Sequence, residues 1–186
     1  PSPAGSRTAL KLFRLAERFG LPVVTFVDTC GAWPSFAAEG AGQSEAIATN
    51  LTAMAGLAVP IITVVLGEGG SGGALGIAMG NRVAMLSQAY YGVISPEGAA
   101  SILGRYADDD DKKARFPADC QALAEAQGIY AHQLEKLGVV DAVLVEAVGE
   151  TAARCPETAA RVGAFVASAL GELGALDAAQ LVADRH

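Results

Sequence analysis

Apolar residues recur along the chain at two spacings, and the change between them divides it into helices and buried strands. Over residues 6–19, Leu10, Phe13 and Leu15 are set among Arg14, Glu17 and Arg18, the pattern of an amphipathic helix, which Gly20 closes. After Pro22 the run 23–27 is almost continuously apolar, as in a strand buried on both faces of a parallel sheet. Ile47, Leu51 and Met54 return at helical spacing, and Pro60 precedes a β-branched run over 61–66 that reads as the next strand. Short strands are predicted over 82–86, 90–94 and 139–145, and helices over 118–127 and 131–137, the second stopped by Gly138. The alanine-rich stretch 158–173 carries Val162, Phe165, Val166 and Leu170 on one stripe, which the domain body or a partner must cover. Helix-plus-strand units in succession, each ending in a glycine-containing loop, predict an α/β fold with a parallel-rich sheet and flanking helices.

Composition narrows the class. The 186 residues suffice for one core and so for one domain. With 52% hydrophobic and 18% charged residues the chain is not disordered, and much of its surface is expected to be hidden by partners. A net charge of −7 without a basic stripe argues against a nucleic-acid partner. No apolar run reaches the length of a membrane span, and the N-terminus lacks the regions of a signal peptide. Three widely spaced cysteines, Cys30, Cys120 and Cys155, suggest neither a disulfide framework nor a zinc site and fit a reducing compartment. Because the chain opens at Pro1, a processed product or a segment of a longer protein is expected.

Candidate chemistry centres on Gly67-Glu68-Gly69-Gly70-Ser71-Gly72-Gly73-Ala74, which lies between the strand 61–66 and a small-residue run over 74–79. Five glycines in seven residues are costly in chain entropy, so the backbone is expected to turn tightly or to be approached closely. At a helix start the first amides have no partner and the macrodipole adds partial positive charge, so bare glycine amides there form an oxyanion site in outline. Other motifs compete for the same residues. Gly67, Gly69 and Gly72 fit a dinucleotide fingerprint, but the next strand ends in Ser87-Gln88 without the ribose-binding acid. Gly69, Ser71 and Gly73 fit the nucleophile elbow of serine hydrolases, but neither His132 nor His186 follows a strand. A glycine hinge that serves packing alone is the plainest alternative.

Three further stretches bear on a site. Asp28-Thr29-Cys30-Gly31-Ala32-Trp33-Pro34-Ser35 sits past the carboxyl end of the first strand, where α/β folds place ligand loops, and either walls a pocket or is a plain turn with Asp28 capping the next segment. Ser95 and Pro96 mark a helix start, with Glu97 and Gly98 in its first turn, where the acid complements the dipole. The run Asp108 to Asp111 repels itself and is expected in an exposed acidic insertion over 106–117. His132 is expected to be solvated, and residues 157–186 to form C-terminal helices.

Taken together, Asp28-Thr29 with Gly31-Ala32 and Pro34, the stretch 42–48, the stretch 67–74, and Val93 to Gly98 with Ala100 to Leu103 resemble the α subunit of the multi-subunit acetyl-CoA carboxylase carboxyltransferase. That family belongs to the crotonase superfamily. The resemblance covers nearly the whole chain and implies a ββα superhelix whose N-terminal strands are missing from this chain. It implies transfer of a carboxyl group from carboxybiotin, delivered in trans by a carrier protein, to acetyl-CoA, giving malonyl-CoA. By match, Gly72 and Gly73 present the amides that take up charge from the biotin ureido oxygen. Gly69, Gly70, Ser71, Gly31, Ala32, Trp33, Ser95, Pro96, Glu97 and Gly98 are the implied substrate- and biotin-binding residues. Implied partners are a zinc-containing β subunit, the biotin carboxyl carrier protein and a second α copy, with no metal in this chain. The implied location is bacterial cytoplasm or plastid stroma.

The chain departs from the family pattern at Cys30, Trp33 and Ser35, at Gly40-Ala41, and at Gly104-Arg105. Those changes support an alternative, a catalytically inactive crotonase-like structural subunit of a larger assembly, located in an organelle matrix.

Overall fold

The computed structural model describes residues 1–104, 110–147 and 155–186. Its elements in order are α1 (Pro3–Phe19), β1 (Val23–Thr29), α2 (Phe36–Gly40), α3 (Gln43–Gly56), β2 (Ile61–Gly70), α4 (Ser71–Ala78), β3 (Arg82–Leu86), β4 (Tyr90–Gly92), α5 (Pro96–Gly104), α6 (Asp110–Gln127), α7 (Ala131–Lys136), β5 (Ala142–Leu144), α8 (Pro156–Leu173) and α9 (Ala178–Asp184). One sheet orders the strands β1-β2-β3-β5, and β4 pairs with β2 off this path. Every named pairing is parallel.

β2 is the middle of the molecule, and its first five residues are all buried. Ile62 to Val65 pair with Arg82 to Met85 of β3, and Glu68 to Gly70 pair with Tyr90 to Gly92 of β4, so one strand holds two partners in succession. Inside the β1–β2 ladder, Thr25 and Thr63 face each other with hydroxyl oxygens 2.9 Å apart, each satisfying the other in a buried position. Apolar side chains on one side of the sheet pack against α8, whose Val162, Phe165 and Val166 join the core of Val64, Val65 and Met85. The domain body therefore covers the α8 stripe. A second cluster sets Phe13 of α1 and Met54 of α3 against Ile61.

Local signals account for the helix ends. Gly20 adopts φ 65° and its N–H bonds the Ala16 and Glu17 carbonyls, a glycine C-cap. The Ser95 hydroxyl accepts from the Gly98 N–H at 3.0 Å, which makes it the N-cap that starts α5 at Pro96.

Several expectations change. β2 does not stop before the glycine run but continues to Gly70, and α4 starts at the next residue. β4 ends at Gly92, short of Ile94, because its partner residue Gly70 is the last of β2. α2 fills part of what reads as loop, with the Ser35 hydroxyl accepting from the Ala38 N–H at 3.0 Å as its cap. Of the predicted acidic insertion, residues 106–109 lie outside the described residues, whereas 110–117 belong to α6 rather than to a loop.

Candidate functional site at the head of helix α4

The site is built where β2 becomes α4. Between Val27 and Thr29 the β1–β2 register shifts, and the extra residues of β2 bulge outward at residues 66–68. Asp28 fills the gap: its Oδ1 accepts from the Glu68 N–H at 3.0 Å. A Cβ at Gly67 would lie 2.6 Å from that same oxygen, so this position is a glycine for space. Gly69 is held by the ring and backbone of Tyr91, and Gly70 by the Cys30–Gly31 peptide. A Cβ at Gly73 would meet the Gly31 carbonyl carbon at 2.5 Å and the Ala32 nitrogen at 2.6 Å. The loop after β1 thus lies on the glycine run with backbone against backbone.

No glycine of the run 67–73 has a positive φ. The residue that does is Ser71, at φ 47°. It is exposed, whereas Gly69, Gly70 and Gly73 are buried. No side chain caps the start of α4, so the first amides of the helix keep the donor capacity and partial positive charge of a helix head.

A cavity of about 430 Å³ opens on this helix start, with Ser71, Gly72 and Leu75 on one side, Tyr91, Gly92 and Val93 on another, and Leu134 and Val139 closing it. Its size is that of a small-ligand pocket, and its walls are apolar apart from the helix head and the Tyr91 phenol. Burial pushes the Tyr91 phenol above its ordinary value of 10.0, so it stays protonated at neutral pH. Tyr90, beside Glu68, is also pushed up, first by burial and then by the charges of Glu68, Glu97 and Cys30. A larger recess of about 720 Å³ runs from Phe26 and Asp28 of β1 to Val162 and Val166 of α8, but no glycine of the run lines it. Chemistry that needs bare amides belongs to the smaller cavity.

The family described as acetyl co-enzyme A carboxylase carboxyltransferase-like matches residues 1–186. The chain belongs to this family. The acetyl-coenzyme A carboxylase carboxyl transferase subunit alpha of Photobacterium profundum is 48% identical over 186 residues, covering 100% of this chain and 55% of that protein. Its namesake from Acidithiobacillus ferrooxidans is 51% identical over 187 residues, again 100% of this chain and 56% of the relative. The chain therefore spans about half the length of the relatives it matches. Among solved structures, transcarboxylase 12S superimposes with a TM-score of 0.76 at 24% identity, over 93% of this chain and 31% of that one. The beta subunit of P. aeruginosa geranyl-CoA carboxylase gives 0.73 at 17% identity, over 94% and 33%. The fold is crotonase-like.

Within this carboxyltransferase-like frame the sequence-derived residues separate into groups. Ser71 and Gly72 line the cavity; Gly73, the next residue of the helix start, is buried, with Gly31 and Ala32 where its side chain would be. Gly69 and Gly70 hold β4 and the loop after β1 in place rather than facing the cavity. Trp33 is 63% exposed, donates its backbone N–H to the Pro1 carbonyl, and does not line the cavity. Ser95, Pro96, Glu97 and Gly98 form the α5 start, close in sequence to the wall residue Val93 but not themselves on the wall. Sequence reasoning missed Leu75, Tyr91, Gly92, Leu134 and Val139. The last two come from α7 and the segment after it, and the antiparallel bridge between Tyr90 and Tyr130, with Ile129 packed against Gly92, brings that region to β4. No histidine lines the cavity, so a Ser–His hydrolase finds no base there; His132 is exposed and stacks on Tyr130 at 6.3 Å. Among the described residues no three metal-ligating side chains cluster.

Proposed function

We propose that this chain is the α-type portion of an acetyl-CoA carboxylase carboxyltransferase, acting on carboxybiotin and acetyl-CoA to give malonyl-CoA. One observation supports the reading most. In a chain that matches the family from end to end, an uncapped helix start carrying the glycine pair opens on an apolar-walled cavity of about 430 Å³. The fit is chemical as well as spatial, since a flat ring with one polar edge suits apolar walls closed at one end by N–H donors. When bound, carboxybiotin supplies the carboxyl group.

The roles of the chain's own residues derive from that placement. Gly72 and Gly73 present backbone N–H donors to the oxygen on which charge gathers, and one such donor in a comparable oxyanion site is worth about 3 kcal/mol of barrier. Leu75, Val93, Leu134 and Val139 offer apolar surface against which a bound ring excludes water, which strengthens those hydrogen bonds. The loop from Gly31 to Ala32, packed on Gly70 and Gly73, fixes the helix head so that the donors need no reorganisation. Acetyl-CoA activation, a zinc site and delivery of biotin fall to a β subunit and a carrier protein, with a second α copy completing the assembly. The setting proposed for it is the bacterial cytoplasm.

The test is malonyl-CoA formation by the assembled subunits supplied with carboxybiotin and acetyl-CoA. Transfer that depends on this chain is the expected result. An assembly that forms normally and transfers nothing contradicts the proposal and identifies the chain as a structural subunit.

A further inference from the structure

The glycine run poses a puzzle that its packing makes sharp. Gly67, Gly69, Gly70 and Gly73 have ordinary φ angles and are glycines because a Cβ would strike Asp28, Tyr91, Cys30 or Gly31. Ser71, between them, is the only non-glycine residue with a positive φ among those described, at 47°. Glycine adopts that region without penalty, whereas a residue with a Cβ is strained there. In a stretch where glycine fills every neighbouring position but one, a serine stands where glycine would relieve the backbone. Local packing does not explain it, because Ser71 is exposed and its hydroxyl has no hydrogen-bond partner among the described residues. Ser71 itself is on the wall of the cavity, beside Gly72.

We infer that Ser71 is a substrate-contacting residue. Its hydroxyl donates a hydrogen bond to an oxygen of the carboxyl group carried into the cavity, and the left-handed backbone angle is the strain accepted to aim it there. The inference rests on the proposed carboxyltransferase reading and adds a side-chain donor to the two backbone donors. Persistent strain of this kind is characteristic of ligand-binding positions, where the surrounding structure holds a residue in a conformation it would not choose. Here the holding contacts are the buried glycines on either side. Because the hydroxyl is neutral and rotates freely, it can follow the carboxyl group from a bound to a departing position, which fixed amides cannot do. The class of ligand is accordingly a carboxylate-bearing ring, whose flat apolar faces suit the Leu75 and Val93 walls while its carboxyl group meets the helix head.

Two substitutions in the assembled enzyme separate this role from a structural one. Ser71→Gly relieves the backbone and removes the donor; Ser71→Ala removes the donor and keeps the strain. The expected result is a melting midpoint raised by about 2–4 °C in Ser71→Gly and unchanged in Ser71→Ala, with carboxyl transfer lowered about ten- to hundredfold in both. Ser71→Gly transferring as fast as the wild type overturns the inference while leaving the carboxyltransferase reading intact. So does a lower melting midpoint in Ser71→Gly, since it would mean that the side chain is there for stability. A wild-type assembly that transfers nothing overturns both.

Discussion

At the scale of single residues, the lesson is what the glycines are for. Their density in the sequence announces a backbone that something approaches, and the structure shows that the approaching groups are largely the chain's own: Asp28 at Gly67, Tyr91 at Gly69, the Cys30–Gly31 peptide at Gly70, and Gly31–Ala32 at Gly73. Those neighbours lie about forty residues upstream or twenty downstream, beyond any local pattern, so the sequence could announce close approach without saying by what. The consequence is a graded substitution series. Gly73→Ala drives a methyl into backbone that cannot yield, and it should destabilise by about 1–3 kcal/mol in a urea titration. Gly72→Ala meets only the end of the Ile47 side chain at 3.3 Å, so it should change stability by less than about 1 kcal/mol. Equal effects at the two positions would mean that the loop after β1 does not lie on α4 as described. Tyr91 offers a second check. Burial raises its phenol above 10.0 in the folded chain, so its contribution to stability is complete below the unfolded value and is lost as pH rises through the folded one. Tyr91→Phe should leave stability unchanged at pH 7 and flatten the loss seen above about pH 10 in alkaline denaturation; identical alkaline curves would count against a buried phenol.

At the scale of elements, strands and long helices were legible because burial imposes a spacing on them. The apolar run 23–27 became β1 and the run 61–66 the body of β2, and the helix start at Pro96 falls where its serine cap puts it. What was illegible depends on partners distant in sequence. β2 extends through Gly70 because β4 pairs with its end, and α2 has only five residues and one serine cap to announce it. The C-terminal helix is a further case: Leu181 packs into a buried cluster, Asp184 pairs with Arg82, and its C-cap Arg185 adds a fork of hydrogen bonds. Arg185 donates from Nη1 to the Met54 and Leu57 carbonyls at 2.6 and 2.9 Å, and from Nη2 to the Val59 carbonyl and Asn81 Oδ1 at 3.0 and 2.8 Å. The fork thereby places positive charge on the carbonyl end of α3 and ties it to β3 through Asn81. Arg185→Ala should cost about 2–3 kcal/mol, and Arg185→Lys should recover only part of it because an ammonium cannot span those acceptors. Chemical denaturation of the pair would show it, and full recovery by lysine would reduce the clamp to its charge.

At the scale of the whole molecule, the hydrophobic composition of 52% is only partly spent on the core. Val93, on the cavity wall, is 84% exposed, and Ile102 and Leu103 of α5 are 67% and 70% exposed. In the proposed assembly this exposed part of α5 is covered, so replacing Ile102 and Leu103 with glutamate should weaken association with the partner subunit in size-exclusion chromatography without lowering the melting midpoint of the isolated chain. Unchanged association would place the partner elsewhere. The cavity itself, open along the head of α4, is the feature on which the functional account stands. Its most direct test is the structure of the assembled enzyme with biotin bound. The account predicts the ureido oxygen about 2.7–3.1 Å from the amide nitrogens of Gly72 and Gly73, with the ring against Leu75 and Val93. A ring bound in the recess between β1 and α8, or one whose oxygen points away from the α4 head, would contradict it.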